Sequence, residues 1–441
     1  MGLFKRKDSK NSSQSETENE SFVTVNSART SNTSLRSPGY KGSGPPASIP
    51  ELPIARPPDP ALDPAAYLRS VHAVRERSNI ILNKAKKNQL SHFDVDMSKF
   101  EATASYVVSI IKRDYAPDYE NIPPHGRWQH FDVGGRPRIN QLLQSWPSRI
   151  DAQERTRRLI DLFVVSVLLD AVFSRSEGLA VASLEMFKSG LFSSDPTEPC
   201  QVDGAGLKKV TTEVLAKGMQ HTDQNPLAGI EGRAGLLIRL SEALNNQDFF
   251  GVDARPGNML DYLLGHPSTL ASSIDGVSIG DAWKCSGLPK SPPAQQWESI
   301  LPFHKLTQWL CYSIMVPMSK LMLIHFAGSD LLTGLPEYRN GGLLIDLGLL
   351  TLKPDDMQRG IDAYKENAQI KGQPSVEVAP LFCADDDVIV EWRGATGSEE
   401  QLSLAQMLEA GTWKGGREIA EVSRPNTKEP PIMIRSDGTV F

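Results

Sequence analysis

The chain of 441 residues carries 53 acidic and 47 basic side chains, giving a formal net charge of −6 at pH 7, and 39% of its residues are hydrophobic. This is the composition of a globular protein, and a length prior of about 150 residues per domain predicts two or three subdomains. The acidic balance leaves no broad basic surface to neutralise a phosphate backbone, so we expect no nucleic acid among its partners.

The first 60 residues are rich in Ser, Thr, Asn, Gly and Pro and have almost no aliphatic periodicity. Such a segment cannot bury enough apolar surface to offset the entropy of ordering it, so residues 1–60 are predicted to be a disordered tail. The folded domain is then expected over 61–441, with helical subdomains of about 61–250 and 251–441.

Helical spacing of apolar residues predicts a mainly α, bundle-like body. The first helix is expected near Asp63 and the second over Asp96–Arg113, while Asp151 and Glu154 form a capping box before a helix that is apolar nearly all round. Further helices are predicted at 177–190, 207–219, 229–247 and 303–316. A small C-terminal β element is predicted from the alternation at 388–394 and from a hairpin over 432–441, around Asp437 and Gly438.

The longest apolar stretch, residues 309–327, is interrupted by Pro317, Lys320 and His325. A charged residue near the middle of a membrane span is costly, so we expect a buried helix broken or kinked near Pro317 and no membrane association. Four widely spaced cysteines without a CxxC pair indicate reduced thiols. The protein is therefore expected in the cytoplasm, with the nucleus as the alternative.

The motifs that identify common enzyme classes are absent from the sequence. There is no GxxxxGK[ST] loop, GxSxG elbow, HExxH pair or strand-linked GxGxxG. The eight histidines are scattered, and the nearest pair, His125 and His130, does not have the spacing of two ligands on one helical face. We expect neither a metal nor a cofactor.

Two polar loops are candidates for ligand contacts. Asp132 and Arg136 flank a Gly-Gly turn in HGRWQHFDVGGRPRI (125–139), where arginines could grip a carboxylate or phosphate, or form only a structural ion pair. Asp281 and Trp283 lie in SIDGVSIGDAW (273–283), where the indole could stack on a ring or sugar; ordinary turn chemistry would give the same pattern.

The third candidate combines LPFHKLTQW (301–309) with GLPEYRNGGLLIDLG (334–348). His304 and Lys305 fall at the start of a predicted helix, and Glu337 follows Pro336 where another helix is expected to begin. A carboxylate at a helix N-terminus stays ionised and can stabilise an oxocarbenium-like transition state. Lysine and glutamate at helix ends are also commonly solvated caps, so the pattern alone leaves both interpretations open.

Five stretches together resemble the uracil catabolism protein four family: GRWQHFDVGGRPRI, RSEGLAVASLEMF, SIGDAW, LPFHKLTQWL and GLPEYRNGGLLIDLG. The resemblance runs from about residue 60 to 441. It implies a role in pyrimidine degradation through ribosylated intermediates such as ribosylurea.

A weaker resemblance links residues 303–350 to the queuosine salvage nucleosidase family. Phe303-His304-Lys305 with Gln308 is similar to that family's aromatic-Tyr-Lys-x-x-Gln pattern, and Glu337-Tyr338-Arg339 is similar to its Asp-Tyr-Arg motif. The resemblance implies an architecture like that of helix-hairpin-helix glycosylases and hydrolysis of an N-glycosidic bond. Glu337 would then be the catalytic carboxylate and Lys305 its polar neighbour.

This chain departs from the family patterns in two places. Glu337 stands where the nucleosidase motif has Asp, which moves the carboxylate about one methylene from the backbone. Residues 168–171 (LLDA) run through Val172-Phe173-Ser174 directly into 175–178 (RSEG), without the Gly-Ala-Gly stretch and Trp of the uracil family. Since the missing loop is expected to line the pocket, we expect impaired activity.

The hypothesis from the sequence is an N-glycosidase-type hydrolase acting on a small ribosylated product of uracil breakdown. Catalysis is assigned to Glu337 and Lys305. The expected substrate contacts are His304, Asp281, Trp283, Arg339, Asn340, Asp132 and Arg136. The alternative hypothesis is a non-catalytic partner or scaffold that associates with another uracil-catabolic enzyme.

Overall fold

The computed structural model describes residues 56–169, 176–222, 227, 229–258, 279–324, 326, 329–336, 338–368, 381–383 and 404–435. Within these ranges helix greatly exceeds strand, which confirms the mainly α class. The predicted tail lies outside the described residues up to position 55. So do the predicted strand at 388–394 and the predicted turn at Asp437 and Gly438.

Two helices of the N-terminal half begin at the aspartates that the sequence predicts as caps. The Asp63 carboxylate accepts from Ala66 N–H at 2.9 Å, and the Asp151 carboxylate accepts from Glu154 N–H at 2.8 Å, so two predicted starts are confirmed. The helices are α1 (Pro64–Leu68), α2 (Val71–Ala85), α3 (Phe100–Tyr115), α4 (Arg127–Phe131), α5 (Arg138–Ser145), α6 (Ala152–Leu169), α7 (Ser176–Lys188), α8 (Gly204–Leu207), α9 (Thr212–Gly218), α10 (Ile230–Ala243) and α11 (Gln247–Phe250).

The C-terminal half contains one long helix and several shorter ones. They are α12 (Lys305–Met322), α13 (Tyr338–Asp346), α14 (Pro354–Ala368), α15 (Leu404–Met407) and α16 (Trp413–Ser423), and a π-helical turn, Leu408–Thr412, joins the last two. Helix α12 continues through Pro317, which is buried, and ends at Met322. The helix was predicted to break or kink there; the proline ring removes one hydrogen bond, but packing on the core holds the helix together.

Among the described residues, six three-residue strands form three pairs. The strands are β1 (Phe93–Val95), β2 (Ala282–Lys284), β3 (Ile300–Pro302), β4 (Leu350–Leu352), β5 (Leu381–Cys383) and β6 (Met433–Arg435). β1 pairs antiparallel with β4, β2 antiparallel with β3, and β5 parallel with β6. Only β6 was anticipated, and its described partner is a parallel strand, not the second arm of a hairpin.

The core is built around the contact between α6 and α12. α6 is buried along nearly its whole length, as its all-round apolar sequence predicts, and Ile314, Val316 and Met318 of α12 lie in the same hydrophobic cluster. The β1–β4 pair likewise joins residues near 94 to residues near 351. Elements from both predicted subdomains therefore share one packed interior, and α12 crosses it.

Candidate functional site

The start of α12 lies in a polar cluster that contains most of the predicted site residues. We call this group the Lys305 cluster; it comprises Asp281, Trp283, His304, Lys305, Gln308 and Asn340. Lys305 and His304 are buried, with 5% and 7% of their surfaces exposed. Burying an ammonium group requires paired or hydrogen-bonded surroundings.

Asp281 caps the N-terminus of α12 from a distant part of the chain. Its Oδ2 atom accepts from the Lys305 main-chain N–H at 3.0 Å, and its carbonyl oxygen accepts from the N–H groups of Phe303 (2.8 Å) and His304 (3.1 Å). Its Oδ1 atom accepts from Trp283 Nε1 at 2.5 Å. The indole N–H is thus occupied, and Trp283 can offer a ligand only its ring face.

His304 has a left-handed backbone conformation, with φ of 48°. This conformation is unfavourable for a residue with a β-carbon, and it turns the chain from β3 into α12. The side chain is held by α1, since Nε2 lies 2.7 Å from the carbonyl oxygen of Leu68 and must donate to it. His304 therefore locks the turn that positions Lys305.

The segment that leads from α12 to α13 is tied to the same cluster. Gln308 Oε1 accepts from Thr333 N–H at 2.7 Å, and Gln308 Nε2 donates to Thr333 Oγ1 at 2.9 Å. Asn340 Nδ2 donates to the carbonyl oxygen of Leu335 at 3.0 Å. Residues 333–335 are thereby fixed between α12 and α13, immediately before Pro336.

The second motif contains two further predicted site residues, Glu337 and Arg339. Glu337, the predicted catalytic carboxylate, lies outside the described residues. Arg339 is buried, but its NH1 group donates to the carbonyl oxygen of Lys428 at 2.8 Å, and its guanidinium lies 5.1 Å from the ring centre of Tyr338. The described contacts of Arg339 therefore join α13 to the C-terminal segment.

The structure places Asp132 and Arg136 away from the Lys305 cluster. Arg136 is exposed, and Asp132 accepts from Trp128 Nε1 and from Ile139 N–H, each at 3.1 Å. Burial raises the pKa of Asp132, while these hydrogen bonds and the charge of Lys320 oppose the rise. Lys320 lies fifteen residues beyond Lys305 on α12, or about 22 Å at the rise of an α-helix. Asp132 thus lies near the opposite end of that helix.

A second group of buried polar and aromatic side chains was not anticipated. We call it the histidine cage; it comprises His125, Arg127, His130, Trp309 and Trp413. The His130 ring stacks on Trp413 at 5.6 Å with an interplanar angle of 27°, and it lies 5.4 Å from His125 and 5.6 Å from Trp309. Four aromatic rings from α4, α12, α16 and the loop before α4 therefore converge.

Charged groups hold the cage in place. His125 Nδ1 lies 2.7 Å from Glu409 Oε2, and Glu409 is on the π-helical turn that immediately precedes Trp413. Arg127 is fully buried and donates from Nε to Ser166 Oγ at 2.7 Å and from NH2 to the Ser166 carbonyl at 2.8 Å. π-Helical turns are rare and are frequently found at functional sites, which makes this region a candidate site.

The two groups share α12. Lys305 and Trp309 are four residues apart, so their side chains lie on one face with about 5–6 Å between Cβ atoms. Within the cage, Trp309 contacts His130, and the Arg127 guanidinium lies 5.1 Å from the centre of the Trp309 ring. The Lys305 cluster and the histidine cage are thus neighbours along one helix.

The sequence did contain a signal for the cage. The stretches HGRWQH (125–130) and EAGTWKGGRE (409–418) concentrate His, Arg and Trp, of which Arg is almost never fully buried unless it is paired. The histidine spacing was tested only against metal ligation on one helix face. In the described part of the chain no group of His, Cys, Asp and Glu is arranged to hold a metal ion.

The thiols and the long helices give no further site. Among the described residues Cys200, Cys285 and Cys311 form no disulfide, and burial raises the pKa of Cys311 to about 11, which makes it a poor nucleophile. Among the helices that the structure describes, none has the length and apolar character needed to cross a membrane.

Comparison with known proteins shows which family the chain belongs to. The family described as "Protein of unknown function (DUF1688)" matches residues 67–274 and 269–441. The chain is 39% identical over 440 residues to "Uracil catabolism protein 4" of Lachancea kluyveri, covering 86% of this chain and 99% of that protein. It belongs to the uracil catabolism protein 4 family. The resemblance expected from the five motifs is confirmed.

A second member of the uracil catabolism protein 4 family is similarly related. "Protein urg3" of Schizosaccharomyces pombe is 41% identical over 422 residues, covering 85% of this chain and 98% of that protein. The aligned length exceeds the number of residues of this chain that it covers, so the relative contains segments that this chain lacks. The aligned length does not locate these segments, so the segment expected to be missing after Ala171 stays a prediction, at a junction outside the described residues.

Proposed function

We propose that the protein acts in uracil catabolism and that it hydrolyses the N-glycosidic bond of a ribosylated breakdown product, with ribosylurea as the first substrate to test. The name of the Lachancea kluyveri relative supports the pathway. The reaction rests on one observation: a buried lysine at the capped start of α12, beside Asp281 and Trp283 and next to the fixed segment that leads to Glu337.

The electrostatics of this position suit a carboxylate that must stay ionised. The N-terminus of α12 carries the positive end of the helix dipole, and Lys305 adds a full positive charge in a buried setting. Charges interact more strongly there than in water. Glu337, one residue beyond Pro336, is proposed as the carboxylate that this field stabilises.

The proposed reaction needs few groups. Glu337 would stabilise positive charge on the anomeric carbon and orient a water molecule, and Trp283 would stack on the sugar or the planar leaving group. The C–N bond breaks, the water oxygen bonds to the anomeric carbon, and a water proton ends on the nitrogen of the departing urea. Lys305 would assist that departure by donating a hydrogen bond. Asp132 and Arg136, near the other end of α12, have no part in this proposal.

The test is incubation of the full chain with ribosylurea and measurement of released urea. Glu337→Gln and Lys305→Met should each reduce the rate by at least about 100-fold, the size expected for loss of a group that stabilises transition-state charge. Lys365→Met is the matched control, because Lys365 is exposed on α14 and its ion pair among the described residues is a long one with Asp362, at 3.7 Å. Its rate should equal that of the parent chain.

Two results would contradict the reaction. One is full turnover by Glu337→Gln. The other is absence of turnover both by this chain and by a relative that retains the segment missing here. If that second result came with capture of another uracil-catabolic enzyme, unaffected by Lys305→Met, the protein would be a non-catalytic partner in the pathway.

A further inference from the structure

Two polar atoms deep in the histidine cage have no hydrogen-bond partner among the described residues. They are Nε2 of His130 and Nε1 of Trp309, and both residues are buried, with 6% and 8% of their surfaces exposed. A buried polar group without a partner costs about 1–3 kcal/mol. Two such atoms on rings 5.6 Å apart indicate a group that the cage is built to receive.

The hydrogen bonds around His130 determine what kind of group this is. Arg127 NH1 can only donate, so the Nδ1 atom of His130, 3.2 Å away, must accept. Burial, together with the charge of Arg127, lowers the pKa of His130 well below its usual value, so the ring is neutral. The proton of a neutral ring with an accepting Nδ1 is on Nε2. His130 Nε2–H and Trp309 Nε1–H are therefore both donors.

We infer that the histidine cage is a binding site for a planar amide or ureido compound, whose carbonyl oxygen accepts hydrogen bonds from His130 Nε2 and Trp309 Nε1. The indole rings of Trp413 and Trp309, which also contact His130, give the cage aromatic walls. A partly buried carboxylate, Glu409, lies at the side of the cage and can accept from the N–H group of the ligand. The cage thus offers donors to a carbonyl and an acceptor to an amide.

The π-helical turn is an independent argument for a binding site. It places Glu409 against His125 and, one residue after the turn ends, Trp413 against His130. An extra residue in a helix is retained when the altered direction of its side chains is useful. Here the altered direction completes two sides of the cage.

The histidine cage lies next to Lys305, so a ligand bound in the cage could also reach the site of the proposed hydrolysis. Trp309 is one helical turn from Lys305, so a ureido group in the cage would place a sugar attached to it towards the Lys305 cluster. This link rests on the proposed function, whereas the ligand class rests on the cage alone. Binding is therefore to be measured without turnover.

The experiment follows the tryptophan indole N–H signals of the full-length protein by NMR while uracil or N-methylurea is added. The sequence has seven tryptophans, and the Trp309→Phe variant identifies the signal of Trp309. This signal should move to lower field in a saturable way as the carbonyl binds. The signal of Trp128, whose N–H already donates to Asp132, should stay in place.

Variants should separate the cage from other unsatisfied groups. Trp309→Phe and His130→Phe should each weaken binding about 5- to 10-fold, the value of one hydrogen bond of roughly 1 kcal/mol. Trp146→Phe is the matched control, because Trp146 Nε1 is likewise buried without a partner in the described chain, but its ring lies outside the cage, 5.7 Å from the Arg158 guanidinium. It should bind like the parent chain.

Three outcomes would overturn the inference: no saturable shift of the Trp309 signal with either compound, equal affinity in Trp309→Phe, or tighter binding of acetate than of both compounds. If His130→Phe fails to fold, Trp309→Phe alone decides, since it keeps an aromatic ring in place. Binding in the cage without hydrolysis, by this chain and by a relative that retains the missing segment, would sink the proposed reaction and leave the cage as a ureido site.

Discussion

Two buried polar centres of this protein differ in how completely their hydrogen bonds are made. At the first, on α6, the Asp161 carboxylate accepts from Arg255 Nε and NH2, from Val202 N–H and from Gly257 N–H, at 2.6–3.3 Å. Arg255 also donates to Glu154 at 2.9 Å. We call this group the Asp161 centre. At the second, the histidine cage, two buried donors lack a described partner.

The difference separates a structural role from a binding role. Burial lowers the pKa of Arg255, but the carboxylates of Asp161 and Glu154 outweigh it and raise that pKa above its usual value. Gly257 fits closely there, since a β-carbon would lie 2.4 Å from the Arg157 carbonyl oxygen. A centre whose groups satisfy one another has nothing to offer a ligand. The cage has two buried hydrogen-bond donors without a described partner, which is why we propose that it binds a ligand.

The largest effect is expected from breaking the Asp161 centre. Asp161→Asn keeps the shape but removes the charge that compensates Arg255 and turns an amide N–H₂ towards donors. We expect the free energy of unfolding to fall by about 3–5 kcal/mol, the cost of leaving one partner of a buried ion pair. Urea denaturation followed by circular dichroism measures it.

Asp362→Asn is the control for that experiment. Asp362 is exposed on α14, where its ion pair with Lys365 is long, at 3.7 Å. Surface pairs contribute little, so the unfolding midpoint should stay within error of the parent value. Equal losses for the two variants would show that the Asp161 centre is no more important to the fold than a surface pair.

The second effect concerns pH and the histidine cage. The pKa of His130 is depressed in the folded protein, so below about pH 6.5 the unfolded chain binds a proton that the folded chain does not. Stability should then fall as the pH falls, by up to about 1.4 kcal/mol per unit. This loss should be missing from His130→Phe, and the difference between the two proteins isolates His130 from other titrating groups. Identical slopes between pH 5 and 7 would contradict a neutral His130.

The smallest effect is expected from replacing two tryptophans, one whose indole N–H has a described hydrogen-bond partner and one whose indole N–H has none. Trp128→Phe removes a hydrogen bond to Asp132, while Trp309→Phe removes an N–H without a described partner. Both keep an aromatic ring. Trp128→Phe should therefore destabilise the protein more, by about 1 kcal/mol in thermal or urea unfolding. A larger loss for Trp309→Phe would mean that its indole N–H has a partner inside the folded protein.

Elements that depend on local signals were predictable. The caps at Asp63 and Asp151 and the apolar run of α6 each follow from a few adjacent residues, and the predicted helices near 177–190 and 303–316 are observed at Ser176–Lys188 and Lys305–Met322. The predicted helix at 207–219 is two helices, because Val210 and Thr211 interrupt it and Thr211 caps the second. The short strands were missed, since three residues are too few to show alternation.

The candidate site was predictable only in part. Asp281, His304 and Lys305 were named from their motifs, and the structure brings them together through main-chain hydrogen bonds that no residue type announces. Asp132 was grouped with them because its loop looked polar, yet it caps a local turn against Ile139. The cage joins residue 125 to residue 409, and pairing across that separation depends on the whole fold.

The helical rise between Lys305 and Trp309 fixes the distance that a ligand contacting both residues must span. The Cβ atoms of residues one turn apart lie about 5–6 Å from each other, and neither Cβ atom can move without displacing the buried helix that carries both. A molecule that reaches both must have the matching length between its carbonyl and its sugar. A ligand with one more atom between its carbonyl group and its sugar would fit one of the two positions but not both. Related metabolites would then be selected by this length as well as by their functional groups.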